Sequence, residues 1–182
     1  GKGSRGVLVT ILFYAFSLVL LVAAFGVILS KNPVHSALCL VLTFFTAAAI
    51  WLLAQAEFLA IVLVLVYVGA VMVLFLFVVM MLDVDIEQIK SGFTRHAVIG
   101  GATAIVLFLE IVGVVVARGL GSNMNMKAGM APVGAGDSNA TELGTALYTK
   151  YVYPFELAAV LLLVAIIAAI VLTMRHRKGL KV

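Results

Sequence analysis

Long apolar stretches separated by short polar breaks dominate this chain. A membrane-spanning α-helix needs about 20 consecutive, mostly apolar residues. Five stretches meet that requirement. The pattern therefore predicts an all-α, polytopic membrane protein with five transmembrane helices. The predicted spans are residues 7–29, 34–54, 58–82, 97–117 and 155–174.

Polar residues mark where the second and third spans begin. Before the second span, Asn32 can accept a hydrogen bond as a helix N-cap, and Pro33 suits the first helical turn. Only residues 55–57 separate the second span from the third. These signals separate the first three predicted spans.

Two longer polar segments follow the third and fourth spans. Residues 83–96, DVDIEQIKSGFTRH, are predicted to form a polar loop. Residues 118–154 are rich in Gly, Asn, Ser and Thr, which favours a flexible extramembrane loop. Within it, the spacing from Thr141 to Tyr151 indicates a short helix at the membrane interface.

Composition supports a membrane protein. The chain is 65% hydrophobic and 11% charged, whereas soluble domains are about half apolar and about a quarter charged. Residues 1–6 precede an apolar stretch without a small-residue cleavage site, so we expect a first transmembrane helix rather than a removed signal peptide. The single cysteine, Cys39, excludes a disulfide within this sequence. We expect residues 1–182 to form one membrane domain.

The basic residues indicate orientation rather than nucleic-acid binding. The net charge is +4, but nucleic-acid binding requires a basic patch interleaved with aromatic residues on a folded face. The densest basic cluster is the tail RHRKGLKV, residues 175–182. Because Lys and Arg are enriched on the cytoplasmic side, we predict a cytoplasmic C-terminus, an outside N-terminus and an extracytoplasmic 118–154 loop.

Three acidic side chains are candidates for a proton path, because ionisable groups within a membrane are costly. Glu110 lies well inside the fourth span. It is either a neutral acid bonded to a neighbouring helix or one stop on a path shared with other subunits. Glu57 and Glu156 start the third and last helices, where a helix-dipole contact in the first turn is the alternative explanation. The spans contain no Lys or Arg, which argues against an independent pump, antiporter or channel.

The sequence contains no motif for catalysis or for cofactor binding. A phosphate-binding glycine loop requires a strand–turn–helix context, which the glycines at 100 and 101 lack inside an apolar span. Metal-ligand and nucleophile–base patterns are also missing from the sequence. We therefore predict no catalytic, cofactor-binding or metal-binding residues in this chain.

The third span contains one phenol and one glycine near its centre, Tyr67 and Gly69. A mid-helix glycine costs about 1 kcal/mol relative to alanine in soluble hosts. One explanation is a packing notch, in which Gly69 admits a neighbouring helix and Tyr67 hydrogen-bonds across it. The other is a helical bulge whose freed carbonyl is satisfied by a hydroxyl or water, giving the helix two rotational states. Spacing alone favours the notch and leaves the bulge open.

The same span carries a family resemblance. Residues 56–83, AEFLAIVLVLVYVGAVMVLFLFVVMMLD, resemble the third helix of the J-type membrane subunit of bacterial NADH–quinone oxidoreductase. This enzyme is respiratory complex I, and the mitochondrial counterpart of the subunit is NADH dehydrogenase subunit 6. The resemblance extends to KNPVHSALCLVL at 31–42 and to YPFELAAVLLLVAIIAAI at 153–170. The length and the five-span plan also agree.

The resemblance implies a gate in the third helix. In this family the matching helix can carry a bulge and change state during turnover, so Tyr67, Val68 and Gly69 would form the hinge. Tyr67 would help to order water leading from the quinone site into the membrane arm. One departure is Leu63, which stands where some members have Gln or Glu. This weakens any claim of a polar relay one turn before Tyr67.

The resemblance also implies the setting of the chain. Its partners would be membrane lipid and the quinone-site (H-type), K-type and A-type subunits of complex I in a bacterial inner membrane. FMN, iron–sulfur clusters and quinone would be bound by other subunits. Two alternatives stay open: a purely structural assembly subunit of that complex, and the equivalent subunit of a related membrane hydrogenase or cation antiporter complex.

Overall fold

The computed structural model describes residues 2–82, 86–120 and 138–174, and all regular structure in these ranges is helical. The third membrane helix is continuous but has three parts, α3, a π-helical segment and α4. We call the middle part, Leu63–Val71, the π segment. The elements are α1 (Lys2–Leu29), α2 (Pro33–Leu53), α3 (Glu57–Val62), the π segment, α4 (Met72–Met81), α5 (Ile86–Leu120), α6 (Asn139–Thr149) and α7 (Val152–Thr173).

Within the described ranges, five helices are long and apolar enough to cross a membrane. This confirms the predicted all-α class and the five spans. The spans are Ser4–Leu29, Pro33–Leu53, Glu57–Met81, His96–Ala117 and Val152–Thr173.

The start of α2 follows the sequence signal. Asn32 has an extended backbone, and its side-chain oxygen accepts a hydrogen bond of 3.0 Å from the Val34 N–H. Pro33 is the first helical residue, where its missing N–H would have no partner within the helix anyway. The predicted cap is therefore confirmed.

Two helices start earlier than predicted. Most of the predicted polar loop at 83–96 is helical, because α5 begins at Ile86. Its Glu, Gln and Lys residues form helices readily outside a membrane, so polarity alone was a poor reason to predict a loop. Likewise, α7 begins at Val152, which places Glu156 beyond the first turn. The prediction of a first-turn position for Glu156 is wrong, since Pro154 is tolerated as the third helical residue.

The predicted interfacial helix is present as α6, two residues earlier than expected. Its Tyr148 ring contacts the Phe155 ring of α7 edge-on, with 5.2 Å between the ring centroids. The remainder of the predicted loop, 121–137, and the basic tail after 174 lie outside the described residues.

The chain divides into two compact units, Gly1–Gly134 and Ala135–Val182. In the first unit, α2 packs against α1 and also against α3, the π segment and α4. Among the described residues of this unit, α5 does not pack against another helix. In the second unit, α6 packs against α7.

A small core joins α2 to the third membrane helix. Ala48 of α2, Ala60 of α3 and Leu63 of the π segment are each at most 5% exposed. Small residues let membrane helices approach closely, so the two alanines bring the backbone of α2 next to the beginning of the π segment. We call Ala48, Ala60 and Leu63 the alanine core.

Candidate functional site

The turn between α2 and α3 sets the position of the third membrane helix. The Ala56 N–H donates to the Trp51 carbonyl (2.9 Å), and the Gln55 N–H donates to the Leu52 carbonyl (3.0 Å). This is the Schellman pattern of helix termination. Its left-handed residue is Gln55, with φ 62°. The chain thus reverses within three residues, and α3 begins directly against α2.

The π segment lies in the middle of the third membrane helix and contains all three predicted hinge residues, Tyr67, Val68 and Gly69. At its end, the Met72 N–H donates to the Tyr67 carbonyl, five residues earlier. This is the bonding pattern of a π-helix rather than an α-helix. A local irregularity is therefore present where the second explanation of the Tyr–Gly pair placed it.

The local sequence explains why an α-helix is weakened here. The π segment, LVLVYVGAV, contains four valines, and β-branched side chains lose rotamer freedom against the preceding helical turn. Gly69 adds backbone freedom. A Cβ at position 69 would lie 3.4 Å from the Val64 carbonyl oxygen, which is an ordinary van der Waals separation. Gly69 therefore permits the wide turn without being demanded by a steric clash.

Tyr67 is half-buried and contacts α2 through its ring. Its side chain is 47% exposed, and its ring lies 5.4 Å from the ring of Phe44 on α2, centroid to centroid, at 54°. Phe44 in turn packs against the alanine core. The phenol thus has one face on α2 and the rest available to whatever surrounds the subunit.

The three predicted acids lie on three different helices. Glu57 is the first residue of α3, where a carboxylate suits the helix N-terminus. Glu110 lies on α5, which does not pack against α3 in the described ranges. Glu156 belongs to the second unit. All three side chains are exposed, and within the first unit Glu57 and Glu110 are not brought together.

The sequence interpretation missed Phe44. Its signal was present in α2, where Phe44, Ala48 and Trp51 recur at spacings of four and three residues, the pattern of one buried helix face. Phe44 and Trp51 both pack against the alanine core. The face could be predicted, but which residue of the third helix it would touch depends on tertiary packing.

Metal chemistry receives no support from the part of the chain that the structure describes. No group of three or more His, Cys, Asp or Glu side chains there could hold a metal ion. Around Tyr67 the structure shows a π-helical segment packed against α2.

Comparison with known proteins identifies the family. The family described as NADH-ubiquinone/plastoquinone oxidoreductase chain 6 matches residues 23–172. The chain belongs to this family. It is 46% identical to NADH-quinone oxidoreductase subunit J of Rhodobacter capsulatus over 93% of this chain and 83% of the relative.

Further relatives extend the family across bacteria and a plant. NADH-quinone oxidoreductase subunit J of Rickettsia felis is 38% identical over 94% of this chain and 83% of its own length. NADH-ubiquinone oxidoreductase chain 6 of Marchantia polymorpha is 40% identical over 94% of this chain and 89% of its own length. The match confirms the resemblance inferred from the third span: the chain is a membrane subunit of NADH–quinone oxidoreductase, complex I.

Proposed function

We propose that this chain is a non-redox subunit of the proton-translocating membrane arm and that its π segment is a gate coupling quinone reduction to proton pumping. The observation that carries the proposal is the nine-residue π segment in the middle of the third apolar span, centred on Tyr67. π-Helical turns are rare and concentrate at functional sites.

The gate would work by rotation. Successive residues of an α-helix are about 100° apart and rise about 1.5 Å. Each residue removed from the widened turns would therefore rotate α4 by about 100° and shift it by about 1.5 Å along its axis. Met72, at 2% exposure, would leave its buried position, and a neighbour such as Val73, now 47% exposed, would approach it.

The polar part of the gate would be Tyr67. A phenol within a bilayer requires a hydrogen-bonding partner, and none of the described residues of this chain provides one for the Tyr67 hydroxyl. The partner would be ordered water or a group of an adjacent subunit. Rotation of the helix would then make or break that connection.

The remaining assignments concern the setting of the subunit. We propose that it binds no FMN, iron–sulfur cluster or quinone, and that it contacts the H-type, K-type and A-type subunits in a bacterial inner membrane. Glu110 on α5 would reach a proton path only together with a neighbouring subunit, because no helix of the described first unit packs against α5. Glu57 and Glu156 are weaker members of that path.

The test uses the assembled complex carrying Gly69→Val or Tyr67→Phe. Gly113→Val is the control, since a Cβ at Gly113 of α5 meets no atom within 4 Å. NADH-driven quinone reduction and proton uptake would be measured in membrane vesicles. We expect the hinge variants to assemble but to pump fewer protons per NADH, while the control stays coupled. Full coupling in both hinge variants would refute the gate.

A purely structural role is the competing function, because the alanine core already explains how α2 and the third helix adhere. The two roles differ in their mutants. A structural subunit would lose assembly and activity together when its packing is damaged. A gate would yield complexes that assemble and oxidise NADH without pumping.

The composition of the assembly separates complex I from a related hydrogenase or antiporter complex. The subunit would be isolated in mild detergent through an affinity tag, and its co-purifying chains would be identified. NADH oxidation with a quinone acceptor by that assembly supports the proposal. Hydrogenase or antiporter chains in its place would contradict it.

A further inference from the structure

We propose that Phe44 of α2 is a positioning residue that favours the π state of the gate through its contact with Tyr67. The proposal rests on the gating function proposed above. Its basis is a single ring contact, 5.4 Å between centroids, across the interface of α2 with the π segment. Phe44 touches no reacting group and acts only through Tyr67.

Phe44 can restrict the Tyr67 ring because Phe44 is itself held by packing. It packs against Ala48, Ala60 and Leu63 of the alanine core, each at most 5% exposed. Phe45, the next residue, is 58% exposed. Of these neighbouring phenylalanines, Phe44 is the one that packs against the alanine core and contacts Tyr67 of the π segment.

The contact depends on the helical state. Leu63 and Tyr67 are four residues apart, a separation of about 40° in projection along an α-helix with 100° per residue. In a π-helix, with about 4.4 residues per turn, the same separation is about 35° in the opposite sense. If Leu63 stays in the alanine core, conversion to an α-helix swings Tyr67 by about 75° around the helix axis.

That swing removes the ring contact. A tyrosine ring centre lies roughly 6 Å from its helix axis, so a turn of about 75° moves it by about 7 Å. This displacement exceeds the present centroid separation of 5.4 Å. A contact made in only one of two states biases the equilibrium toward that state. From the usual strength of aromatic pairs, loss of the contact should change the ratio of π to α states about two- to tenfold.

The experiment compares the helical state in complete complexes carrying Phe44→Leu, Phe44→Tyr and Phe45→Leu. Electron cryo-microscopy with particle classification would count the particles whose residues 63–71 are π-helical or α-helical. We expect Phe44→Leu to lower the π-to-α ratio about two- to tenfold. Phe44→Tyr retains the ring and should restore the ratio, and Phe45→Leu should leave it unchanged. If Phe44→Leu fails to assemble, Phe44→Met, which conserves volume, takes its place.

The outcomes separate this inference from the gate itself. An unchanged ratio in Phe44→Leu, or an equal loss in Phe44→Tyr, overturns the role of Phe44. If Gly69→Val still uncouples the complex in that case, the gate stands without Phe44. If Gly69→Val is fully coupled while the ratio responds to Phe44, the ring controls the helical state but the gating function fails.

Discussion

Gly26 of α1 lies directly against Cys39 of α2: a Cβ at position 26 would be 3.0 Å from the cysteine Sγ and 3.6 Å from its Cβ. This is the closest approach that any glycine in the described residues makes to a side chain. The first two membrane helices thus meet where one has no side chain and the other has a small one. Small residues at such crossings are typical of helix packing in membranes.

This contact predicts that Gly26→Val destabilises the α1–α2 pair by about 1–3 kcal/mol, the usual cost of overpacking. The matched control is Gly6→Val in the same helix, where a Cβ meets no atom within 4 Å. Unfolding by sodium dodecyl sulfate, followed by circular dichroism of the detergent-purified subunit, measures both. Adding Cys39→Ala should recover part of the loss, and a Gly26→Val protein as stable as the Gly6→Val protein would contradict the packing.

The turn at Gln55 predicts a stabilising substitution. Gln55 has a left-handed backbone, φ 62°, which costs a residue with a side chain about 1 kcal/mol more than glycine. Gln55→Gly should therefore raise the free energy of unfolding. Part of this gain is offset, because glycine increases the conformational entropy of the unfolded chain. Gln55→Ala keeps the strain and serves as control in the same detergent titration. Equal stabilities for the glycine and alanine variants would show that the turn stores no strain.

The sequence was sufficient to predict the features of the fold that depend on hydropathy and helix capping. The five spans follow from hydropathy, and the beginning of α2 follows from Asn32 and Pro33. The beginning of α5 at Ile86 could not be found in the same way, because hydropathy shows where a helix leaves the membrane and not where it ends. The helix simply continues through polar residues beyond the bilayer boundary.

The candidate site, too, could be predicted only in part. Tyr67 and Gly69 in an apolar run indicated that the third helix has something unusual at this point. The extent of the π segment, Leu63–Val71, and the support of Tyr67 by Phe44 were beyond prediction. Both depend on how α2 packs against the third helix, which is set by the α2–α3 turn and the alanine core rather than by local sequence.

The N-cap of α2 predicts a modest loss on substitution. Asn32→Ala removes the oxygen that accepts the Val34 N–H at 3.0 Å, and loss of such a cap costs about 1 kcal/mol. Asn32→Asp keeps an acceptor at the same place and should retain most of the stability. The measurement is again the detergent titration of the purified subunit. If alanine and aspartate reduced stability equally, the hydrogen bond would not be the cause.

The orientation predicted from the basic residues has the N-terminus outside and the C-terminus in the cytoplasm. It predicts which polar positions face the cytoplasm. In that orientation, residue 31 between α1 and α2 is cytoplasmic and residue 150 at the end of α6 is outside. Lys31→Cys and Lys150→Cys, each in a Cys39→Ala background, would be treated in intact cells with a membrane-impermeant maleimide. Both lysines are exposed, so burial within the subunit does not protect either position. Labelling at 150 but not at 31, with both labelled after the membrane is opened, is expected; the reverse pattern would invert the topology.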